Sequence, residues 1–63
     1  MKNSIRVERA RLKISQQQLA EEIGITRQSV HHIETEKTDP LLGTAAKIAK
    51  FFGLKIMDIF EEG

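Results

Sequence analysis

Apolar residues recur along the chain at intervals of three and four, the spacing that gathers side chains on one face of an α-helix. Three such stripes are formed by Leu19, Ala20 and Ile23, then by Ala45, Ile48, Ala49 and Phe52, and last by Ile56, Ile59 and Phe60. No segment alternates apolar and polar residues as a half-buried strand does. The pattern therefore predicts an all-α fold with one core.

Capping residues divide this pattern into five short helices joined by tight turns. The predicted helices cover about residues 3–13, 15–24, 26–36, 41–52 and 55–61. Ser15 and Gln18 have the spacing of a capping box, and Gly24 suits the end of the same helix. Asp39 and Pro40 suit the cap and the first position of the fourth helix. The prediction is a compact five-helix bundle.

The length of 63 residues suits a single domain, residues 1–63, which buries only about 60% of the surface of its unfolded chain. The chain has no cysteine, which excludes disulfides and thiolate metal sites and fits a reducing cytoplasm. It shows no signal peptide and no apolar run of the roughly 20 residues that cross a membrane. A cytoplasmic protein without membrane association is therefore expected.

Charge is distributed unevenly, although the net charge is only +1. Residues 1–13 contain five basic and one acidic residue, residues 14–36 one basic and four acidic, and residues 37–50 three basic and one acidic. This partition can place a basic strip on one side of the molecule. Scattered surface charge that only keeps the protein soluble is the alternative.

The third predicted helix has two distinct faces. Its polar stripe consists of Arg27, Gln28, His31, His32 and Thr35, and the opposite face carries Val30 and Ile33. A solvated face would have the same geometry, but such faces usually carry lysine and glutamate. Arginine can donate two hydrogen bonds to guanine, and glutamine can make two with adenine. The residue types therefore favour a surface that reads base edges.

The run "SQQQLAEEIGITRQSVHHIE" resembles the helix-turn-helix of the phage repressor and Cro type, also called the xenobiotic-response-element family. The matching positions are Ser15, Gln16, Leu19, Ala20, Gly24, Thr26, Val30, Ile33 and Glu34. "KTDP" and "AAKIAKFFGLKIMDIF" are similar to the closing segments of the compact members. The resemblance spans essentially the whole chain and implies a lambda-repressor-like DNA-binding domain.

The resemblance also implies roles for individual residues. Base contacts fall to Arg27, Gln28 and His32, with His31 touching a base or the sugar-phosphate wall. Phosphate contacts fall to Gln16, Thr26, Thr35, Lys37 and Thr38. Arg9 and Glu34 match a structural salt bridge between the first and third helices of some relatives. The chain departs from the family at Glu36, where glycine is common, and at Leu41, where a serine cap is common.

Other chemistry is poorly supported. His31 and His32 diverge by about 100° on a helix and lack the i, i+4 spacing of a chelating pair, so neither a metal nor a cofactor is predicted. Ser29 and His32 have no orienting acid, so no enzymatic activity is predicted. An antitoxin-like or purely protein-binding module is the rival class, although a toxin-neutralising tail is normally an extension and this chain ends at Gly63.

The sequence thus predicts a sequence-specific regulator of transcription, a repressor, that reads double-stranded DNA with the helix at 26–35. One copy has few phosphate contacts, so a homodimer on an inverted repeat is expected, nucleoid-associated when bound. Phe51, Met57 and the segment after Phe60 are the predicted contact between copies.

Overall fold

The computed structural model describes residues 1–62 and contains five helices, as the apolar spacing predicts. The helices are α1 (Ile5–Leu12), α2 (Gln16–Ile23), α3 (Arg27–Glu34), α4 (Leu42–Phe51) and α5 (Ile56–Ile59), and two short strands are β1 (Lys2–Asn3) and β2 (Phe60–Glu61). Gly63, the last residue of the predicted domain and of the predicted contact between copies, lies outside the described residues. The predicted helical fold class is confirmed.

One hydrophobic core joins all five helices. Its buried members are Ile5, Leu19, Ala20, Ile23, Val30, Ile33, Ala45, Ile48, Ala49, Phe52, Ile59 and Phe60. All three apolar stripes of the sequence contribute to it, and Ile56 packs at its margin. Helix α2 packs against α3 and α4, and α4 packs against α5. The outward face of α3 is left free of these helix contacts.

Local capping fixes the turn between α2 and α3. The predicted capping box is confirmed: Ser15 Oγ accepts from the N–H of Gln18 at 3.0 Å, and Gln18 Oε1 accepts from the N–H of Ser15 at 2.8 Å. Gly24 ends α2 with φ at 85°, a left-handed conformation that strains other residues. Thr26 then caps α3 by accepting from the N–H of Ser29 at 3.0 Å. These short-range bonds set the angle at which α3 leaves α2.

The expectation that the chain contains no strand was wrong. Lys2 pairs with Glu61 and Asn3 with Phe60 in an antiparallel ladder. Phe60 has φ at −119° and ψ at 141°, so α5 ends at Ile59 and does not extend to residue 61. A strand of two residues is too short to show an alternating pattern. The pairing closes the two ends of the chain on each other.

The first helix begins at Ile5, two residues after its approximate predicted boundary, whereas the predicted cap of the fourth helix was wrong. Asn3 is in β1, where its Nδ2 donates to the carbonyl of Ile33 at 2.9 Å and its Oδ1 accepts from the N–H of Ile5 at 3.1 Å. Asp39 does not cap α4 but accepts from the N-terminal ammonium group at 2.7 Å. Helix α4 begins at Leu42, and Leu41 supplies no side-chain cap. At Asp39 a tertiary contact replaces the predicted local cap.

Candidate nucleic-acid interface

Helix α3 presents its polar stripe to solvent and its apolar side to the core. Arg27, Gln28 and His31 are exposed, and Val30 and Ile33 are buried. An α-helix with its side chains is about 10–12 Å in diameter, so α3 fits the roughly 12 Å width of the major groove of B-DNA. The exposed side of α3 can therefore enter one groove.

The other residues of the predicted stripe lie at its C-terminal side. His32 is half-buried, lining a depression with the loop at residues 38–41, and its carbonyl accepts from the N–H of Lys37 at 2.8 Å. Thr35 is exposed and donates its hydroxyl to the carbonyl of His31 at 2.8 Å. His32 is consequently less accessible than His31, which the sequence did not indicate.

The remaining predicted phosphate contacts border this stripe. Lys37 and Thr38 are exposed in the loop that follows α3. Thr26 is exposed, but its hydroxyl is engaged twice by Ser29, accepting from its N–H and donating to its Oγ at 2.9 Å. Thr26 can therefore offer a phosphate its backbone N–H more readily than its hydroxyl. Glu36, exposed beside Lys37, has φ at 66°, the conformation for which the family glycine is suited.

Gln16 at the start of α2 touches the stripe directly. Its Nε2 lies 3.2 Å from Nδ1 of His31. When the amide donates, Nδ1 accepts, and the proton of the neutral imidazole is on Nε2. Nε2–H is then a donor for a base acceptor such as N7 or O6 of guanine. This contact between two predicted DNA-binding residues joins α2 to α3.

Arg9 and Glu34 form a bidentate ion pair behind the stripe. Arg9 Nε donates to Oε2 at 2.9 Å and Arg9 Nη2 to Oε1 at 2.7 Å, and Nη1 donates to the carbonyl of Ile14 at 3.0 Å. The Glu34 side chain is only 2% exposed. The exposed Arg6 approaches the same carboxylate, with Nε 3.6 Å from Oε1. The pair ties α1 to the end of α3.

Ionisation of Glu34 is favoured by these neighbours. Burial by itself raises the pKa of the carboxyl, but the hydrogen bond and charge of Arg9 outweigh it, with smaller contributions from Gln16 and Arg6, and the pKa lies below its ordinary value. The hydrogen bond to Glu34 likewise raises the pKa of Arg9, against the opposing effect of burial. The pair is therefore fully charged at neutral pH.

The free energy of unfolding is expected to fall in acid as Glu34 becomes protonated. A pKa that is lower in the folded than in the unfolded chain stabilises the fold above the unfolded value of about 4.5. This stabilisation is lost as the pH falls through the folded value. Urea unfolding of the wild type and of Glu34→Gln should give a free-energy difference that is constant near neutrality and narrows in acid. If the free-energy difference between the wild type and Glu34→Gln does not narrow in acid, then other carboxyl groups cause the acid unfolding.

Sequence reasoning missed two features of this surface. The resemblance gave Gln16 and His31 separate roles, although they contact each other. Arg6 was assigned no site, although it lies one helical turn before Arg9 and shares its face of α1. That i, i+3 spacing was the available signal. Within residues 1–62 no helix is long and apolar enough to span a membrane.

Comparison with known proteins places this geometry in context. A family model described as helix-turn-helix matches residues 5–59. The chain is 50% identical over 60 residues to an HTH-type transcriptional regulator of Methanocaldococcus jannaschii, covering 95% of this chain and 91% of the relative. It is 45% identical over 60 residues to one of Bacillus subtilis, with the same coverage. It is 35% identical over 49 residues to the HTH-type transcriptional regulator PuuR of Escherichia coli, covering 78% of this chain and 26% of PuuR.

Proposed function

The chain belongs to the helix-turn-helix family of the Cro/C1 type, whose members regulate transcription by binding DNA, and on that premise we propose that it is a sequence-specific repressor. The proposed domain is the whole chain, residues 1–63. The observation that carries the proposal is the exposed stripe of α3, in which arginine, glutamine and histidine replace the lysine and glutamate of an ordinary solvated face.

The proposed reading follows from the chemistry of each side chain. Arg27 and Gln28 directly follow the Thr26 cap, so they occupy the end of α3 that enters a major groove first. Arg27 would bind guanine and Gln28 adenine, each through two hydrogen bonds. His31, fixed by Gln16, would donate from Nε2. Lys37 and Thr38 would hold the backbone beside the groove and add affinity without adding sequence preference.

A homodimer on an inverted repeat is part of the proposal. One chain offers few phosphate contacts, whereas a specific protein–DNA complex depends on more of them for its affinity. Met57 is 78% exposed on α5 and is the best-placed of the predicted contacts. Phe51 is half-buried and packs edge-on against Phe52 with ring centroids 5.1 Å apart, so it offers less surface. We place the dimer in the cytoplasm, on the nucleoid when bound.

Selection of bound sites from a random duplex pool tests the proposal, at roughly physiological salt because the affinity depends steeply on it. We expect enrichment of a short inverted repeat whose half-sites contain a guanine and an adenine at adjacent or nearby positions. A single enriched half-site bound by a monomer would remove the dimer. If a folded protein enriches no sequence but captures a protein partner, the function is that of a binding module instead.

A further inference from the structure

Arg6 carries a positive charge that the fold does not neutralise. Its side chain is 78% exposed, and its Nε lies 3.6 Å from Glu34 Oε1, beyond hydrogen-bonding distance. The same carboxylate already accepts two hydrogen bonds from Arg9. Two positive charges and one negative charge therefore meet at this point. The surplus positive charge is the one that faces solvent.

This cation is continuous with the surface proposed to meet DNA. Arg6 approaches the carboxylate of Glu34, which is the last residue of α3. His31 lies one helical turn before Glu34 and contacts Gln16 at 3.2 Å. Arg6 therefore lies beside the end of the helix that is proposed to enter the groove. A duplex read by α3 comes within reach of this long arginine side chain.

The chemistry that suits Arg6 is that of a phosphate. Side chains reach base edges only from inside a groove. The helix proposed to enter the groove is α3, so a side chain on α1 is not placed to reach a base edge. A guanidinium group binds a phosphate through two parallel N–H donors. The ion pair with Glu34 engages Arg6 at a closest approach of 3.6 Å, between Nε and Oε1. Because the side chain is 78% exposed, its guanidinium group remains accessible to an anion.

We propose that Arg6 binds a backbone phosphate of the duplex whose major groove is read by α3. The contact extends the interface from the helix-turn-helix onto α1 and adds affinity for every sequence alike. It rests on the DNA-binding function proposed above and adds a residue to that interface. The competing role is purely structural: Arg6 would serve only as a second cation for Glu34 and would make no contact with DNA.

The salt dependence of binding distinguishes these roles. We would measure the affinity of the wild type, Arg6→Gln and Arg6→Lys for the selected duplex and for a scrambled one over a range of salt concentrations. Loss of one phosphate contact lowers the slope of log K against log salt by about 0.9, so a dimer that loses two should lose about 1.8. For Arg6→Gln we expect this lower salt slope and a several-fold weaker affinity for both duplexes. For Arg6→Lys, which keeps the positive charge, we expect a slope near that of the wild type.

Arg11→Gln is the matched control. Arg11 is on the same helix, about 140° around the axis from Arg6, where it pairs with Glu8 at 2.7 Å. The Arg11→Gln variant loses the same charge from a surface remote from α3, so its salt slope should remain that of the wild type. Equal slopes for Arg6→Gln and the wild type, or equal losses for Arg6→Gln and Arg11→Gln, would overturn the phosphate contact. Failure of the wild type to prefer the selected duplex would instead refute the proposed function.

Discussion

Replacing Arg9 by alanine is expected to lower the free energy of unfolding by about 3–5 kcal/mol, because it removes the bidentate partner of the Glu34 carboxylate and leaves the longer 3.6 Å contact with Arg6 in its place. The Glu34 side chain is 2% exposed, so solvent compensates poorly for the two N–H donors that Arg9 supplies. A domain of this length has a total stability of roughly 3–9 kcal/mol. The substitution should therefore unfold much of the protein at room temperature.

Urea denaturation followed by circular dichroism measures this loss through the midpoint of unfolding. Arg11→Ala is the control for removing an exposed arginine from α1, and it should change the free energy of unfolding by less than about 1 kcal/mol. The double variant Arg9→Met with Glu34→Leu removes both charges and should recover most of the stability. A small loss for Arg9→Ala alone would mean that Glu34 is hydrated or protonated when Arg9 is missing.

Replacing Arg27 by alanine is expected to weaken binding to the selected site by about 1–3 kcal/mol per half-site, or about 5- to 150-fold. The loss would arise because the guanine that Arg27 is proposed to contact would keep its O6 and N7 acceptors but lose two hydrogen bonds to them. Without that contact, the four base pairs at this position become nearly equivalent. A second site selection with Arg27→Ala should therefore show relaxed preference at one position of each half-site.

Lys37→Ala provides the contrast for this measurement. Lys37 is exposed in the loop after α3, and a phosphate contact from it carries no base preference. Its loss should weaken all duplexes alike, lower the salt slope by about 0.9 per contact, and leave the selected sequence unchanged. Equal losses for Arg27→Ala on selected and scrambled duplexes would contradict a base-reading role and assign Arg27 to the backbone instead.

The segments predicted most accurately are those whose structure depends on neighbours in the sequence. The capping box of Ser15 and Gln18 and the left-handed Gly24 are i, i+3 and single-residue signals, and both are present in the fold. The apolar stripes identified the buried faces of α2, α4 and α5 because helical periodicity holds wherever one side packs on a core. The polar stripe of α3 is exposed for the same reason. Its DNA contacts remain predictions.

The sequence misled where a distant residue competes for the same group. Asp39 has the features of a helix cap but binds the N-terminal ammonium group. Phe60 continues the helical spacing of Ile56 and Ile59, yet it extends to pair with Asn3. In each case the residue could bond either to a neighbour in the sequence or to a distant partner. The packing of the chain ends selects the distant partner. A short window of sequence contains only one of the two partners.

The sequence by itself determined the helical class, the helix-turn-helix and the polar composition of α3, because periodicity and capping act over a few residues. Only the tertiary structure decided that Arg6 joins the ion pair of Arg9 and Glu34, that Gln16 contacts His31, and that the chain ends pair. Those contacts join groups from different helices or from the two termini. Their distances depend on how the core orients whole helices, and no local preference encodes that orientation.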